Sequence, residues 1–163
     1  ELEENHTMQY SQKTDGNRYN LLYTALDGTM KMDGNAVLLF SLNEVCESIR
    51  EFREYFQVQE TSIDYYILHQ AQKMILDGIA RECNIEAEKI PQSYEEYGNT
   101  STASIPITIC SNIEEIRKKH HARLFLCGFG IGLAWSNVVV DLDTTCIYPL
   151  LETDFCYKDL GEQ

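Results

Sequence analysis

The sequence predicts an α/β domain in which helices pack on a mixed β-sheet, and three patterns in the chain support this fold class. Apolar residues recur every three or four positions from residue 35 to 56, which predicts an amphipathic helix. The apolar run 65–68 predicts a short buried strand, which leads into helical spacing that ends at Cys83. Closer to the C-terminus, two apolar runs flank a glycine-rich segment, as in a β-hairpin.

The remaining segments complete this order of elements. Residues 19–26 fit a short strand, residues 85–97 fit a loop, and residues 100–119 return to helical spacing with a bend expected at Pro106. The hairpin is predicted as strand 123–127, turn 128–132 and strand 133–142. The chain then divides into a polar lead-in and the start of the domain at 1–23, the main domain at 24–142, and an acidic peripheral tail at 143–163.

Composition narrows the class of protein. A chain of 163 residues suits one domain, and its formal net charge of −13 argues against non-specific binding to nucleic acid or to anionic membranes. No apolar run approaches the roughly 20 residues that a membrane span needs. The six cysteines include no C-x-x-C pair, so we expect no metal site, reduced thiols and a cytoplasmic location.

His69 and Asn99 are the side chains that the sequence singles out as candidate site residues. His69 follows the predicted strand 65–68, and Asn99 follows a glycine at the start of a predicted helix. Such junctions hold a side chain rigidly at the edge of a sheet. Imidazole and carboxamide groups both donate a hydrogen bond to an oxygen without carrying a full charge. The simpler interpretation is a histidine at a strand end and an asparagine that caps a helix.

Three segments that occur in order resemble a known enzyme family. They are the strand ending in His69-Gln70-Ala71, the segment 97–106 with the sequence YGNTSTASIP, and the segment 128–135 with the sequence GFGIGLAW. Together they closely resemble the C-terminal half of β-ketoacyl-ACP synthase III (3-oxoacyl-ACP synthase III), a condensing enzyme of the thiolase superfamily. The resemblance implies that residues 24–142 form one half of a thiolase-like fold. It also places the glycines of residues 128–132 in a hairpin turn, not in a dinucleotide-binding loop.

The resemblance implies an acyltransferase of fatty acid biosynthesis that performs a decarboxylative Claisen condensation. In that family a cysteine thiolate takes an acyl group from acyl-CoA, and the carbanion formed when malonyl-ACP loses carbon dioxide attacks the acyl thioester. His69 and Asn99 match the positions that donate hydrogen bonds to the malonyl thioester carbonyl. Ile131 matches the position whose backbone N–H contributes to the oxyanion hole. Gln70 and Lys73 are expected near the substrate or the acyl carrier protein, and no cofactor beyond these substrates is implied.

Three positions depart from the family pattern. Ile131 stands where many relatives have glycine, Gln72 where they commonly have asparagine, and Met74 where they often have a basic residue thought to contact the carrier protein. The first change leaves a backbone donor in place. At Met74 the basic side chain is absent, and the neighbouring Lys73 is the positive charge that remains. Docking of the carrier protein is therefore the property that these departures affect most.

The nucleophile is the part that the sequence lacks. In the family the catalytic cysteine lies at a helix N-terminus in the N-terminal half, and none of the six cysteines here has that setting. We therefore expect this chain to be inactive alone and to need the missing N-terminal half, in a parent protein that is a homodimer. The alternatives are a non-catalytic thiolase-fold module for binding or assembly, and a relative that acts in polyketide-like or surface-polymer synthesis.

Overall fold

The computed structural model describes residues 8–153, in which a four-stranded mixed sheet is the central layer. The strands are β1 (Gln9–Thr14), β2 (Leu22–Thr24), β3 (Met30–Met32), β4 (Tyr65–Leu68), β5 (His121–Gly130) and β6 (Ala134–Asp143). The main sheet has the order β1-β6-β5-β4, and only the β4–β5 pair is parallel. Strands β2 and β3 form a separate antiparallel hairpin. The predicted mixed α/β architecture is confirmed.

The helices are α1 (Gly34–Phe40), α2 (Cys46–Tyr55), α3 (Lys73–Glu82), α4 (Tyr94–Tyr97), α5 (Ser104–Ser111) and α6 (Ile113–Ile116). A π-helical segment, Ser41–Val45, joins α1 to α2, so the helix predicted over 35–56 is confirmed as one continuous helical run. This run begins at Asp33, whose side chain accepts a hydrogen bond from the Ala36 N–H (3.0 Å). The apolar spacing over 35–56 does not distinguish this π-helical segment from the α-helices on either side.

One face of the sheet carries the main hydrophobic core, which α2 and α3 cover. Ile49 from α2, Ile79 from α3, and Tyr66, Phe125 and Cys127 from the sheet are all completely buried in it. These sheet residues share a face because side chains alternate along a strand. The same face therefore anchors the strands whose ends carry the candidate site.

The opposite face carries a smaller core beneath α5 and α6. Ile67 and Leu124 from the sheet and Ile116 from α6 are completely buried there. By contrast, Ile105 and Ile109 of α5 pack against this core but remain partly exposed. The molecule thus has three layers, with helices on both sides of the sheet, and one outer layer is only partly covered.

Strand β1 corrects part of the polar lead-in that was expected within residues 1–23. Residues Gln9–Thr14 form β1 and pair antiparallel with β6 along their whole length. The strand escapes pattern recognition because it lies at the edge of the sheet, where Tyr10 is 64% exposed and most side chains face solvent. The predicted strand at 19–26 is confirmed only over the three residues of β2.

The structure places one predicted bend and one predicted turn at different residues from those expected. Pro106 is the third residue of α5, where its missing N–H has no intrahelical acceptor, so the expected bend is wrong and the break falls instead at Asn112. Strand β5 continues through Gly128 to Gly130, so the turn is confined to residues 131–133. In this turn Gly132 has a φ of +139°, a conformation that favours glycine.

The predicted peripheral tail is partly wrong as well. Thr144 and Ile147 are 2% and 5% exposed, and Ile147 completes the smaller core. Arg117 holds this segment through hydrogen bonds from its guanidinium to the carbonyl oxygens of Thr144 and Ile147. Residues 154–163 of the predicted tail lie outside the described residues. Over the described range, no helix is long and apolar enough to cross a membrane.

Candidate active site

His69 lies at the carboxyl end of the parallel strand pair. It follows β4 directly, and its backbone N–H donates a hydrogen bond to the Cys127 carbonyl of β5 (2.8 Å), which continues the ladder by one residue. Strand β4 ends here because Gln70 and Ala71 turn toward α3. Polar side chains at the carboxyl ends of parallel strands commonly face a ligand site.

The imidazole of His69 is held on two sides. Its Nδ1 lies 2.8 Å from the Ser104 hydroxyl, and its ring meets the edge of Phe129 with centroids 5.2 Å apart and planes at 88°. Burial lowers the pKa of His69 below its ordinary value of 6.5, because a charged imidazolium would lose solvation. The ring is therefore neutral at pH 7. A neutral ring can donate a hydrogen bond to an oxyanion without carrying a full positive charge.

Asn99 lies in an exposed turn that its own side chain stabilises. Its Oδ1 accepts a hydrogen bond from the Ser101 N–H (3.0 Å), an Asx turn. The flanking residues Gly98 and Ser101 both have positive φ values, +69° and +54°. Such a conformation is costly for a serine and is typical of loops that hold a side chain in a set position. Because Oδ1 is engaged, the Nδ2 amino group is the part of the amide left to donate to a ligand.

The two candidate donors belong to one structural unit. A short 3-10 turn, Ser101–Ala103, connects the Asn99 turn to α5, and Ser104 at the start of α5 binds the His69 ring. The strand end and the helix start are therefore joined by a hydrogen bond between residues 35 positions apart in sequence. The structure thus brings together the two segments that the sequence singled out.

Ile131 lies at the same edge of the sheet as His69. It is the first residue after β5 ends, two positions beyond the Phe129 ring that contacts His69. Its side chain is 51% exposed, and its backbone N–H has no hydrogen-bond partner among residues 8–153. Within the described residues, this unpaired backbone donor and the neutral imidazole lie at the same sheet edge, and both are donors of the kind that an oxyanion site uses.

The structure gives Gln70 a different place from the one expected near a carrier protein. Its side chain is 0% exposed, its Nε2 donates to the Leu68 carbonyl (2.8 Å), and its Oε1 accepts from the Ser93 N–H (2.9 Å). A buried side chain with both ends of its amide hydrogen bonded supports the loop after His69. This place does not favour direct contact with a carrier protein, and the expected contact of Gln70 with substrate or carrier stays a prediction.

Lys73, by contrast, lies on the surface. It is the first residue of α3 and forms an ion pair with Asp77 at 3.5 Å. Both residues line a groove of about 610 Å³, whose other lining residues are Leu38, Leu42, Met74, Gly78 and Arg81. The groove runs between α3 and the helical run formed by α1 and the π-helical segment. It lies next to the turn that follows His69. Lys73 remains available to a partner molecule there.

Sequence reasoning missed a chain of buried hydroxyl groups behind His69. Ser104 is 1% exposed, Thr108 is 0% exposed and Ser93 is 6% exposed. The Thr108 hydroxyl donates to the Ser104 carbonyl (2.7 Å) and lies 2.7 Å from the Ser93 hydroxyl. The only available signal was the spacing of Ser104 and Thr108 by four residues, which puts both on one side of a helix.

The cysteines of the described range do not provide an activated nucleophile. Cys46 and Cys127 are completely buried and Cys83 is 3% exposed, and burial raises the pKa of the Cys127 thiol. Cys46 begins α2, but the preceding π-helical segment occupies the position where a free helix N-terminus would lie. Cys110 and Cys146 are more exposed and lie away from a helix start, and Cys156 lies outside the described residues.

Comparisons with known proteins agree on one family. The family model for the C-terminal domain of 3-oxoacyl-[acyl-carrier-protein] synthase III matches residues 54–142, more than half of the chain and the range that contains His69, Asn99 and Ile131. The β-ketoacyl-[acyl-carrier-protein] synthase III of Streptococcus gordonii is 35% identical over 152 residues, which cover 84% of this chain and 47% of that protein. The Streptococcus agalactiae protein of the same name is 35% identical over 153 residues, with coverage of 85% and 47%.

Solved structures give the same result for the fold. The 3-oxoacyl-[acyl-carrier-protein] synthase III of Aquifex aeolicus has a TM-score of 0.80 at 28% identity and covers 87% of this chain and 46% of that one. The 3-oxoacyl-(acyl-carrier protein) synthase of Burkholderia xenovorans has a TM-score of 0.82 at 25% identity, with coverage of 88% and 46%.

The predicted thiolase-like half and the predicted family are confirmed by these matches. The chain spans about half the length of the curated relatives it matches. The match with the C-terminal family model, the identity to the streptococcal proteins and the fold agree with the order of the three sequence motifs. This chain belongs to the family of 3-oxoacyl-[acyl-carrier-protein] synthase III C-terminal domains.

Proposed function

We propose that this chain is the C-terminal catalytic half of an acyltransferase that condenses an acyl group with a malonyl thioester. The observation that supports this most directly is the pair of neutral donors on two segments that the His69–Ser104 hydrogen bond joins. His69 is uncharged and anchored through Nδ1, and within residues 8–153 Asn99 has its amide oxygen engaged and its amino group free. Two neutral donors suit an oxygen that gains negative charge only during the reaction.

The proposed step follows from this arrangement. When the malonyl thioester loses carbon dioxide, the electron pair of the broken carbon–carbon bond moves onto the thioester carbonyl oxygen. Hydrogen bonds from the Nε2–H of His69 and the Nδ2–H of Asn99 stabilise that oxygen. The carbanion then attacks the acyl thioester of a cysteine on the N-terminal half, and the cysteine thiolate leaves. The Ile131 N–H donates to the oxygen of the attacked acyl thioester.

The N-terminal half is the partner that the structure supports best. Apolar side chains occur around α5 on several sides, at Ile105, Ile107, Ile109 and Cys110, and all four are only partly buried. A helix that is apolar on several sides usually lies between two packed layers. We propose that α5 lies between this sheet and a second half of the same fold, which also brings the nucleophilic cysteine to the His69 edge.

The groove beside α3 is the proposed approach for acyl-CoA and for the acyl carrier protein. Both ligands reach a buried site through a long pantetheine arm that carries phosphate. Leu38, Leu42 and Met74 offer an apolar lining to such an arm, while Lys73 and Arg81 offer positive charge. The free state of the described cysteines is typical of the cytoplasm, which we propose as the location. The homodimeric parent stays a prediction.

Mutation of the full-length protein tests the proposed reaction. His69→Ala and Asn99→Ala are each expected to lower malonyl decarboxylation by about 10² to 10³, the usual effect of removing one oxyanion donor. Acylation of the nucleophilic cysteine by acyl-CoA is expected to stay close to that of the unmodified protein. Release of carbon dioxide and mass spectrometry of the acyl-enzyme measure the two steps separately.

The control is His121→Ala, because His121 is an exposed histidine outside the site and should leave both steps unchanged. Equal loss of acylation and decarboxylation in His69→Ala would contradict the assigned role. A full-length protein that forms no acyl-cysteine would support the non-catalytic module instead. The isolated chain is expected to transfer no acyl group, and acylation of its cysteines well above the rate of a free thiol would refute this.

A further inference from the structure

We infer that Ser104 is a positioning residue that fixes the tautomer of His69, by donating its hydroxyl hydrogen to Nδ1 so that the ring proton resides on Nε2. The ring geometry alone leaves this undecided, because a hydroxyl can donate to or accept from an imidazole nitrogen. The consequence for catalysis rests on the proposed function, whereas the tautomer itself is a property of this chain. The assignment follows from where the Ser104 hydrogen can go.

Among the described residues, the Ser104 hydroxyl has one available acceptor. It is 1% exposed, so neither solvent nor another molecule reaches it. Within residues 8–153 its recorded hydrogen bond is the one to Nδ1 of His69. A buried hydroxyl hydrogen without an acceptor is costly, and native structures avoid it. The hydrogen therefore points at Nδ1, which must carry a lone pair, and the neutral ring has its proton on Nε2.

The residues behind Ser104 keep it in this position. The Thr108 hydroxyl uses its hydrogen on the Ser104 carbonyl, so the Ser93 hydroxyl must be the donor in the Ser93–Thr108 contact. The Ser93 N–H in turn binds Gln70, the residue after His69. The hydrogen bonds thus run in one direction from Ser93 through Thr108 to the backbone of Ser104, and they tie the helix that carries Ser104 to the loop that carries His69.

This arrangement matters because only one tautomer suits the proposed reaction. With the proton on Nε2, the ring presents a donor on the side away from Ser104. With the proton on Nδ1, the same side would present a lone pair and would repel a negatively charged oxygen. A hydroxyl partner that donates therefore selects the tautomer that stabilises an oxyanion, whereas a carbonyl or carboxylate partner at Nδ1 would select the other one.

Nuclear magnetic resonance of the ¹⁵N-labelled chain tests the inference without any measurement of activity. Long-range proton–nitrogen spectra distinguish a protonated ring nitrogen from one with a lone pair, and the His69→Asn spectrum identifies the His69 signals among the four histidines. We expect Nε2 to be protonated in the unmodified chain. In Ser104→Ala the fraction with the proton on Nδ1 is expected to rise about fivefold, the shift that one net hydrogen bond typically produces.

A titration in the same spectra gives a second readout that depends on the direction of the hydrogen bond. A hydrogen bond donated to Nδ1 favours the neutral ring, so its loss in Ser104→Ala should raise the pKa of His69. If Nδ1 were instead the donor, its loss would lower the pKa. Ser111→Ala, on the same helix but bonded to the Thr108 carbonyl, is the control and should change neither readout.

Each outcome decides the inference. A protonated Nδ1 in the unmodified chain, or a lowered pKa in Ser104→Ala, would overturn it, and the first of these needs no variant to fold. If the tautomer is as inferred but His69→Ala leaves decarboxylation of the full-length protein unchanged, the proposed function fails while the role of Ser104 stands. If decarboxylation depends on His69 but Nδ1 is protonated, the inferred role of Ser104 fails while the proposed function stands.

Discussion

On one face of the sheet, α2 and α3 cover a core in which Ile49 and Ile79 are completely buried, whereas on the other face Ile105 and Ile109 of α5 stay partly exposed. Both faces are apolar, but the first is closed by helices of this chain and the second is closed only beneath α6. The difference indicates that the first face provides stability to the chain by itself, while the second is arranged to be covered by a further layer. His69 lies where the two meet, with Phe129 of the first core against its ring and Ser104 of α5 on its Nδ1.

A matched pair of substitutions tests this comparison with the largest expected effect. Ile79→Ala should lower the free energy of unfolding by about 2–5 kcal/mol, the range for truncating a buried isoleucine. Ile109→Ala should lower it by clearly less, because a partly exposed side chain loses less burial and leaves no closed cavity. Chemical denaturation of the two variants measures the difference. Equal losses would show that both faces stabilise the chain to the same degree.

Binding of the N-terminal half tests whether the partly exposed face of α5 is a contact surface. Ile109→Lys should weaken binding of this chain to a separately prepared N-terminal half at least about tenfold, because an unpaired ammonium would be buried in the contact. Leu39→Lys is the control, since Leu39 is 60% exposed on α1 and lies on the other side of the molecule. Analytical ultracentrifugation of the mixtures gives the affinities. An unchanged affinity for Ile109→Lys would place the contact elsewhere.

The smallest effect expected is the pH dependence that His69 contributes. Because burial holds its pKa below 6.5, the unfolded chain binds this proton more readily than the folded chain. The contribution of His69 to stability is therefore fully present above pH 6.5 and is lost as the pH falls from there through the folded pKa. Denaturation between pH 7.5 and pH 5 should show a steeper loss for the unmodified chain than for His69→Asn. Parallel curves would mean that the histidine is not buried as a neutral ring.

Much of the fold was accessible from sequence periodicity. The strand Tyr65–Leu68 and the helical run that ends at Tyr55 were predicted because each buries a regular apolar pattern. Strand β1 was not, because its residues pair with β6 residues 120 to 130 positions away, at an edge where no apolar alternation is needed. The bend predicted at Pro106 was wrong for a related reason. A proline is tolerated in the first turn of a helix, and the residue at which α5 starts depends on the loop before it.

The candidate site likewise contains residues that local motifs predicted and contacts that only the structure shows. His69, Asn99 and Ile131 were found from motifs that are contiguous in sequence. The structure identifies Ser104 as the partner of the His69 ring, and it buries Gln70, which was expected near the substrate or the carrier protein. Neither the His69–Ser104 contact nor the hydrogen bond from the Ser93 N–H to Gln70 can be read from local sequence, because they join residues 35 and 23 positions apart.

The sequence by itself predicted the family, the main helices and strands, and the two candidate donors, because these depend on short motifs and on periodic burial. Only the tertiary structure decided what holds those donors in place. It put a buried hydroxyl behind His69 and left α5 partly uncovered. The physical reason is that hydrogen-bond direction and burial are set by atoms brought together from distant parts of the chain, and local sequence does not encode them.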